Sequence, residues 1–202
     1  MTKTNLKSVA IVDEDIRRRA ALSYLLLGEE IHAEPFESVA ELDSTGMACD
    51  FVLMHDSEDA IPDYLSQVRR SGRVLPFVVY HEKPDARQAL MAGRLGATDY
   101  LLWPFDIAAV LGLGLMSPES DAAAGSQPLR RAVASGLLDK LTPREREVLN
   151  AVTSGMTNKL IGNALGISPR TVEIHRANAF DKIGARNTSE AVRVALDGCL
   201  IG

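Results

Sequence analysis

The chain has 202 residues, of which 46% are hydrophobic and 24% are charged, and its formal net charge is -5 at pH 7. This composition is typical of a soluble globular protein and excludes an extensively disordered chain or a membrane protein. The length favours two domains, each large enough to bury its own core. Residues 1–7 lack the apolar stretch of a secretory signal, so we expect a cytoplasmic protein. Cys49 and Cys199 form no CxxC or CxxH pattern, and we expect both to be inert thiols.

The first half of the chain alternates short apolar runs with helical patterns. Such alternation predicts a doubly wound α/β domain, in which helices cover both faces of a parallel five-stranded sheet. The predicted strands are residues 8–12, 32–36, 51–54, 76–80 and 99–102, and the predicted helices are residues 16–27, 39–42, 61–70, 86–95 and 107–115.

A change in composition follows this pattern. Residues 117–136 are rich in Ser, Ala, Pro and Gly, which is typical of a linker with room for a short helix. We therefore predict one domain over residues 1–116 and a second, wholly helical domain over residues 137–202. The first domain has 11 Lys and Arg against 18 Asp and Glu, and the second has 9 against 7. The basic surplus of the second domain is too small to identify a nucleic-acid ligand by itself.

The second domain begins with a strong helix start. Thr142 and Glu145 have the spacing of a capping box, and Pro143 suits the first helical position. This helix is predicted to end at Gly155. A further helix is predicted over residues 157–165 from its apolar stripe.

A third helix follows after a short turn. Gly166 suits the left-handed residue that ends the preceding helix, and Ser168, followed by a proline, suits the next N-cap. Val172, Ala179 and Ile183 share one face of the third helix and are predicted to lie in the core. Two helices joined in this way are typical of a helix-turn-helix unit, whose second helix enters the major groove.

Residues 141–185, LTPREREVLNAVTSGMTNKLIGNALGISPRTVEIHRANAFDKIGA, resemble the LuxR-type and more narrowly the FixJ-type DNA-binding domain. The resemblance implies an all-α, four-helix domain that binds double-stranded DNA as a homodimer on an inverted repeat, often through the last helix at residues 188–197. It implies that Glu173, Ile174 and Ala177 face bases. The other implied DNA-binding positions, mostly at or beside phosphates, are Asn158, Lys159, Arg170, Thr171, His175, Arg176 and Lys182.

Two of these positions have alternatives. His175 could form a hydrogen bond between helices instead of contacting a phosphate. Glu173 is unfavourable beside a phosphate, but its carboxylate could accept a hydrogen bond from cytosine N4 at a base edge.

The segments VAIVDED, CDFVLMH, PFVVYH and GATDYLLWPF make residues 8–116 resemble a two-component receiver domain, which has a flavodoxin-like fold. Receivers transfer a phosphoryl group to an aspartate with the help of acids that hold Mg²⁺, a hydroxyl and a lysine. The resemblance places the acidic pair at Asp13 and Glu14. It places His55 at the nucleophile position, His81 at the hydroxyl position and Trp103 at the lysine position. We therefore expect no aspartyl phosphorylation.

Because the ends of parallel strands meet at one edge of a sheet, we expect His55 and His81 to lie beside Asp13 and Glu14, next to Trp103. This degenerate receiver pocket has three possible uses. It could be an inert filling held by histidine–carboxylate hydrogen bonds, a proton- or ligand-responsive cluster, or a transition-metal site. We expect the inert filling, and we predict no metal, cofactor or catalytic residue.

The sequence thus predicts a DNA-binding transcription regulator that acts without phosphorylation and uses its receiver-like domain for dimerisation or partner binding. The alternative is an interaction protein that binds a kinase or another signalling protein, with DNA binding secondary. Asp56 as a shifted acceptor, or phosphohistidine at His55, would still lack the hydroxyl and the lysine. An enzyme is not expected, because no nucleophile–base pair or cofactor loop is present.

Overall fold

The computed structural model describes residues 8–29, 31–111 and 126–200, which fall into two compact units. The main division lies between Leu129 and Arg130, inside the segment predicted to be a linker. Residues 117–125 of that segment lie outside the described residues, whereas residues 127–136 are helical. None of the described helices is long and apolar enough to cross a membrane.

The N-terminal unit contains a five-stranded sheet in the order β2-β1-β3-β4-β5, with every neighbouring pair parallel. The predicted fold class is therefore confirmed. β3 and β4 each end one residue later than predicted, because His55 still pairs with Tyr80 and His81 with Leu102, and β4 also begins one residue later. The strands are β1 Ser8–Val12, β2 His32–Phe36, β3 Phe51–His55, β4 Phe77–His81 and β5 Asp99–Leu102.

Five helices connect and follow these strands, close to the predicted positions. The first begins after Asp15, whose carboxylate caps the amides of Arg17 and Arg18. The second continues three residues beyond its predicted end to a left-handed glycine, Gly46. Residues 112–115 of the fifth predicted helix lie outside the described residues. The helices are α1 Ile16–Leu27, α2 Val39–Thr45, α3 Ala60–Ser71, α4 Ala86–Arg94 and α5 Ile107–Leu111.

One face of the sheet packs against α1 and α5. Leu22 and Leu26 of α1 and Val110 of α5 are fully buried in this core. The strands contribute alternate residues, as the period of two in a strand requires. These strand residues are Val9, Ile11, Phe51, Leu53, Val78 and Tyr80.

The C-terminal unit is helical, and its predicted caps are confirmed. The Thr142 amide donates to Glu145 Oε2 at 2.9 Å, and the Glu145 amide donates to the Thr142 hydroxyl at 3.3 Å. The Ser168 side chain likewise caps the amide of Thr171. The helices are α6 Gln127–Asp139, α7 Pro143–Thr153, α8 Asn158–Leu165, α9 Pro169–Ile183 and α10 Thr188–Asp197.

The turn between α8 and α9 is tight because of two glycines. Gly166 ends α8 with a left-handed backbone, φ 66°. At Gly162 a Cβ would lie 2.7 Å from the carbonyl oxygen of Ile167, so only glycine allows the turn to fold back onto α8. The Ile167 amide donates to the Gly162 carbonyl at 3.0 Å. This contact sets the start of α9, the predicted recognition helix.

Candidate receiver-like pocket and DNA-reading surface

Four of the five predicted pocket residues lie where a strand of the sheet ends. Asp13 follows β1, His55 and His81 are the last residues of β3 and β4, and Trp103 follows β5. The amide of Trp103 donates to the His81 carbonyl at 2.9 Å, which continues the pairing of β4 and β5. The carboxyl edge of the sheet therefore gathers these side chains, as its topology predicts.

The Asp13 carboxylate is saturated by donors from the chain itself. This residue is only 2% exposed. Its Oδ1 accepts from the Asp15 amide at 2.8 Å and from Arg18 Nη2 at 2.8 Å. Its Oδ2 accepts from Arg18 Nε at 2.7 Å and from the Tyr80 hydroxyl at 2.5 Å. A carboxylate has about four lone-pair positions, so none is left for another ligand.

These bonds also fix the charges in the pocket. Burial opposes the ionisation of Asp13, but hydrogen bonds from Arg18 and Tyr80 outweigh it and lower the pKa of Asp13. The same contact with Asp13 raises the pKa of Arg18. Burial, and then the bond to Asp13, raise the pKa of Tyr80, which keeps its hydroxyl a donor. Asp13 and Arg18 are thus a buried ion pair in bidentate geometry.

The carboxylate beside His55 is Glu82, which the sequence prediction missed. His55 Nε2 lies 3.0 Å from Glu82 Oε2, and Arg18 Nη1 donates to Glu82 Oε1 at 2.5 Å. The hydrogen bond with His55, assisted by the charge of Arg18, lowers the pKa of Glu82 to about 2. The prediction that Asp13 and Glu14 pair with the histidines is wrong, because Arg18 takes Asp13 and Glu14 is exposed.

One donor atom from each of His55, His81 and Glu82 lies within 4.8 Å of the others, the only such group of three among the described residues. The two imidazole rings stack with their centroids 5.2 Å apart and 26° between their planes. The Lys83 amide donates to His81 Nδ1 at 2.9 Å, and Arg18 adds a positive charge beside Glu82. The geometry is that of a stacked, hydrogen-bonded cluster, and the absence of a metal stays a prediction.

Trp103 and Asp56 have partners away from the histidines. The Trp103 ring packs 5.9 Å from Tyr80 and 5.3 Å from Phe105, on the edge of the core. The Tyr100 hydroxyl donates to the Asp56 carboxylate. Contact between Asp56 and a hydroxyl was not predicted, and it ties the Asp56 carboxylate to Tyr100 of β5. Burial, and then this bond, raise the pKa of Tyr100.

In the C-terminal unit, the buried side of α9 is formed by Val172, Ala179 and Ile183, as predicted. On its other side Glu173, Ile174 and Ala177 are exposed, as are the basic residues at the starts of two helices, Lys159 of α8 and Arg170 of α9. Arg170 Nη1 donates to Glu173 Oε2 at 2.9 Å. This exposed ion pair holds the Glu173 carboxylate on the outward side of the helix.

The half-buried guanidinium of Arg176 joins three helices. Its Nη2 donates to the Thr188 hydroxyl of α10 at 2.6 Å, and its Nη1 donates to Asn158 Oδ1 of α8 at 3.4 Å. It also lies 5.1 Å from the centre of the Phe180 ring. Two other predicted positions, Thr171 and His175, are half-buried on α9, and the Thr171 hydroxyl pairs with Ser168 at 2.8 Å.

Lys182, predicted to lie at or beside a phosphate, forms an ion pair inside the domain. Its Nζ donates to both oxygens of the buried Glu145 carboxylate, at 2.9 and 2.7 Å. The bond from Lys182 lowers the pKa of Glu145. This ion pair links α7 to the last turn of α9, so the charge of Lys182 is already matched inside the domain.

The sequence matches a known family and known regulators. Residues 139–195 match the model of the family described as bacterial regulatory proteins, luxR family. The chain is also 32% identical to the transcriptional regulatory protein FixJ of Azorhizobium caulinodans, over 93% of this chain and 91% of that protein. The chain belongs to the FixJ family of response regulators.

Further matches agree with this family. The chain is 30% identical to the transcriptional regulatory protein UhpA of Escherichia coli, over 95% of this chain and 98% of that protein. A crystal structure of full-length FixJ from B. japonicum covers 100% of both chains, with 26% identity and a TM-score of 0.49. The luxR-family match and the two full-length regulators, together with the parallel five-stranded sheet, make this chain a LuxR-type transcription regulator with a receiver fold, and its family is not enzymatic.

Two further residues of this FixJ-family protein lie at the candidate DNA-reading surface and were missed from the sequence. Arg186 and Asn187 line one shallow depression together with Asn158, Glu173 and Ala177. The sequence signal that could have indicated them is a basic residue followed by an asparagine immediately before the start of α10. Their position becomes clear only when α10 is folded against α9.

Proposed function

We propose that this FixJ-family protein is a sequence-specific DNA-binding regulator that acts without phosphorylation of its receiver-like domain. The observation that carries this proposal is the saturation of the Asp13 carboxylate. Receiver chemistry needs Mg²⁺, a hard cation that binds through carboxylate oxygens and waters. All the acceptor positions of Asp13 are used by Arg18, Tyr80 and the Asp15 amide. The residues present therefore do not fit the magnesium ion that the receiver resemblance implies.

The remaining pocket residues support the same conclusion. His55 stands at the nucleophile position and is hydrogen-bonded to Glu82. His81 stacks on His55, and Trp103 packs on the core, so neither supplies the hydroxyl or the cation that stabilises a phosphoryl group. Asp56 is held by Tyr100. Arg18 already places a positive charge beside Asp13, where receiver chemistry would need to bind the Mg²⁺ ion.

DNA binding is assigned to the outward side of α9. Its exposed Glu173 could accept a hydrogen bond from cytosine N4, and Ile174 and Ala177 could contact thymine methyl groups. Lys159 and Arg170 lie at helix starts, where backbone amides and side-chain charge both favour a phosphate. Two copies bound to an inverted repeat would each place one α9 in a major groove. Because its ligand is genomic DNA, we place the regulator in the cytoplasm.

The phosphorylation part is tested by intact-mass measurement after incubation with acetyl phosphate and Mg²⁺. We expect no phosphoryl adduct on the full-length protein. His55→Asp should also stay unmodified, since Asp13 remains occupied and no hydroxyl or lysine is restored. A stable adduct on the unmutated chain would contradict the proposal.

The DNA part is tested by selecting bound sequences from a randomised duplex library. We expect an inverted-repeat consensus for the full-length protein. Glu173→Ala should change the preferred base at one position of each half-site, whereas Asp181→Ala, an exposed acid nearer the end of α9, should leave the consensus unchanged. Equal weakening across all sequences by Glu173→Ala would show that Glu173 does not read bases.

A further inference from the structure

The outward side of α1 carries the three most exposed large apolar side chains in the described part of the chain. Tyr24 is 82% exposed, Leu27 is 72% exposed and Ile16 is 71% exposed. With Ala20 they follow one another at intervals of four, four and three residues, so they form a single stripe along the helix. We call Ile16, Ala20, Tyr24 and Leu27 the α1 stripe. A contiguous exposed apolar surface of this kind marks an interaction site.

The charges at the two ends of the α1 stripe indicate what covers it. Arg17 lies at the N-terminal end and Glu29 lies just beyond the C-terminal end, and both are exposed. If two copies of α1 pack antiparallel, each Arg17 lies near the Glu29 of the other copy. Parallel packing would instead bring like charges together. Charge complementarity of this kind selects the partner and its orientation.

The shape of the stripe is self-complementary in the same orientation. Ala20 and Tyr24 lie two residues to either side of position 22, so a two-fold axis at the level of residue 22 puts each Tyr24 ring over the Ala20 of the other copy. Arg17 then lies opposite Leu27, within reach of Glu29. A two-fold contact requires that the same patch on both subunits match itself, and the α1 stripe has this property.

We propose that α1 is the surface through which two copies of this protein form a homodimer. The occupant of the α1 stripe is the α1 stripe of a second copy, packed antiparallel. This inference rests on the proposed function in so far as binding to an inverted repeat needs a dimer. It is tested without DNA, so the two can fail separately.

A second exposed apolar group provides matched controls. Leu90 of α4 is 56% exposed and Leu102 of β5 is 60% exposed. They offer apolar side chains of comparable size on other elements. Substituting them tests whether any exposed leucine of this domain supports dimerisation or only those of α1.

The first experiment measures the dimer dissociation constant of the full-length protein by sedimentation velocity. We expect a reversible dimer, and Tyr24→Ala should raise the dissociation constant by roughly 30-fold, the effect of losing an interfacial hot spot. Leu90→Ala and Leu102→Ala should leave it within about twofold, a change of less than ~0.5 kcal/mol. Tyr24 is exposed in the monomer, so its removal should leave urea unfolding unchanged at protein concentrations below the dimer dissociation constant, where association adds no stability. A monomeric wild type, or a dimer lost in Leu90→Ala but kept in Tyr24→Ala, would overturn the inference.

The second experiment reverses the charges. Arg17→Glu and Glu29→Arg should each weaken self-association, because each homodimer then brings two like charges together. Mixing the two single variants should restore dimers, since the mixed pair matches opposite charges at both ends. Weakening in each single variant together with rescue in the mixture requires an antiparallel contact, because in a parallel contact the wild type already brings like charges together and the single variants would not weaken it. Failure of the mixture to associate would refute the antiparallel α1 contact even if the DNA consensus is found as proposed.

Discussion

Each unit of this protein buries one carboxylate against one basic side chain. In the N-terminal unit Asp13, at the end of β1, is bound by Arg18 of α1. In the C-terminal unit Glu145, in the first turn of α7, is bound by Lys182 of α9. The first pair lies where receiver chemistry would take place and leaves no acceptor for it. The second lies on the inward side of α9, the proposed recognition helix, and leaves the outward side exposed.

The position of a buried ion pair in the fold therefore decides what it does to function. Burial of two charges is costly unless their hydrogen bonds are complete. Both pairs meet this condition, since Asp13 has its amide, guanidinium and hydroxyl donors, and Glu145 also accepts from the Thr142 amide. In one unit the completed network occupies the carboxylate that receiver chemistry would use, and in the other it fixes α9, which we propose to bind DNA.

The largest expected effect comes from breaking the N-terminal pair. Arg18→Met leaves Asp13 buried with only an amide and a hydroxyl as donors, and should lower the free energy of unfolding by about 3–5 kcal/mol. Urea unfolding, followed by a signal that arises in the N-terminal unit, measures this loss of free energy. The double variant Asp13→Asn/Arg18→Met removes both charges and should recover most of the loss. A loss below about 1 kcal/mol in Arg18→Met would mean that the pair is not buried as described.

The C-terminal pair should respond less, because Lys182 is about one-third exposed. Lys182→Met should lower the free energy of unfolding by about 1–3 kcal/mol, the cost of leaving a buried acceptor without its charged donor. The salt dependence of DNA binding should not change, since Lys182 is matched by Glu145 rather than by a phosphate. Binding titrations over a range of salt concentrations check this. A smaller slope of log K against log salt in Lys182→Met would show that Lys182 contacts a phosphate, as the family resemblance implies.

Lys159 sharpens the contrast, because it is an exposed lysine in the same unit. Lys159→Met should change the free energy of unfolding by less than about 0.5 kcal/mol. It should weaken binding to all sequences and reduce the slope of log K against log salt by about 0.9, the value for one lost phosphate contact. The same titrations give both quantities, and an unchanged slope would remove Lys159 from the DNA interface.

The smallest expected effect concerns Glu82. Its hydrogen bond with His55 lowers the folded pKa to about 2, below the ordinary value of 4.5. The stabilisation is therefore present above pH 4.5 and is lost as the pH falls towards 2. Glu82→Gln should flatten the fall in stability over this window, and by little, because Glu82 is partly exposed to solvent. Thermal unfolding between pH 5 and 3 measures the difference, with Glu14→Gln as the exposed control. Equal acid sensitivity of Glu82→Gln and wild type would contradict the lowered pKa.

The sequence predicts what depends on local chemistry. The capping pattern of Thr142 and Glu145 is contained within four residues, and the bounds of α1 follow from its helical pattern. The gathering of His55 and His81 at one edge also follows from strand order alone. These features need no knowledge of which side chains meet across the fold.

The partners of the charged residues could not be predicted in this way. Arg18 follows Asp13 by five residues, but only the angle at which α1 leaves β1 directs its side chain back onto the strand end. The partner of His55 is Glu82 and not Asp13 or Glu14, because Arg18 occupies the Asp13 carboxylate. This arrangement depends on contacts across the fold. Lys182 and Glu145 are separated by 37 positions, so their pairing requires the packing of α7 against α9.

We propose that the receiver-like domain does not transmit a phosphoryl signal to DNA binding. The most direct test is the operator affinity of the full-length protein with and without Mg²⁺ and beryllofluoride, a phosphoryl mimic. The closed Asp13 site predicts the same dissociation constant under both conditions, within about twofold, or ~0.4 kcal/mol. A conventional allosteric coupling would tighten binding by roughly 5- to 150-fold, and a shift of that size would contradict the account.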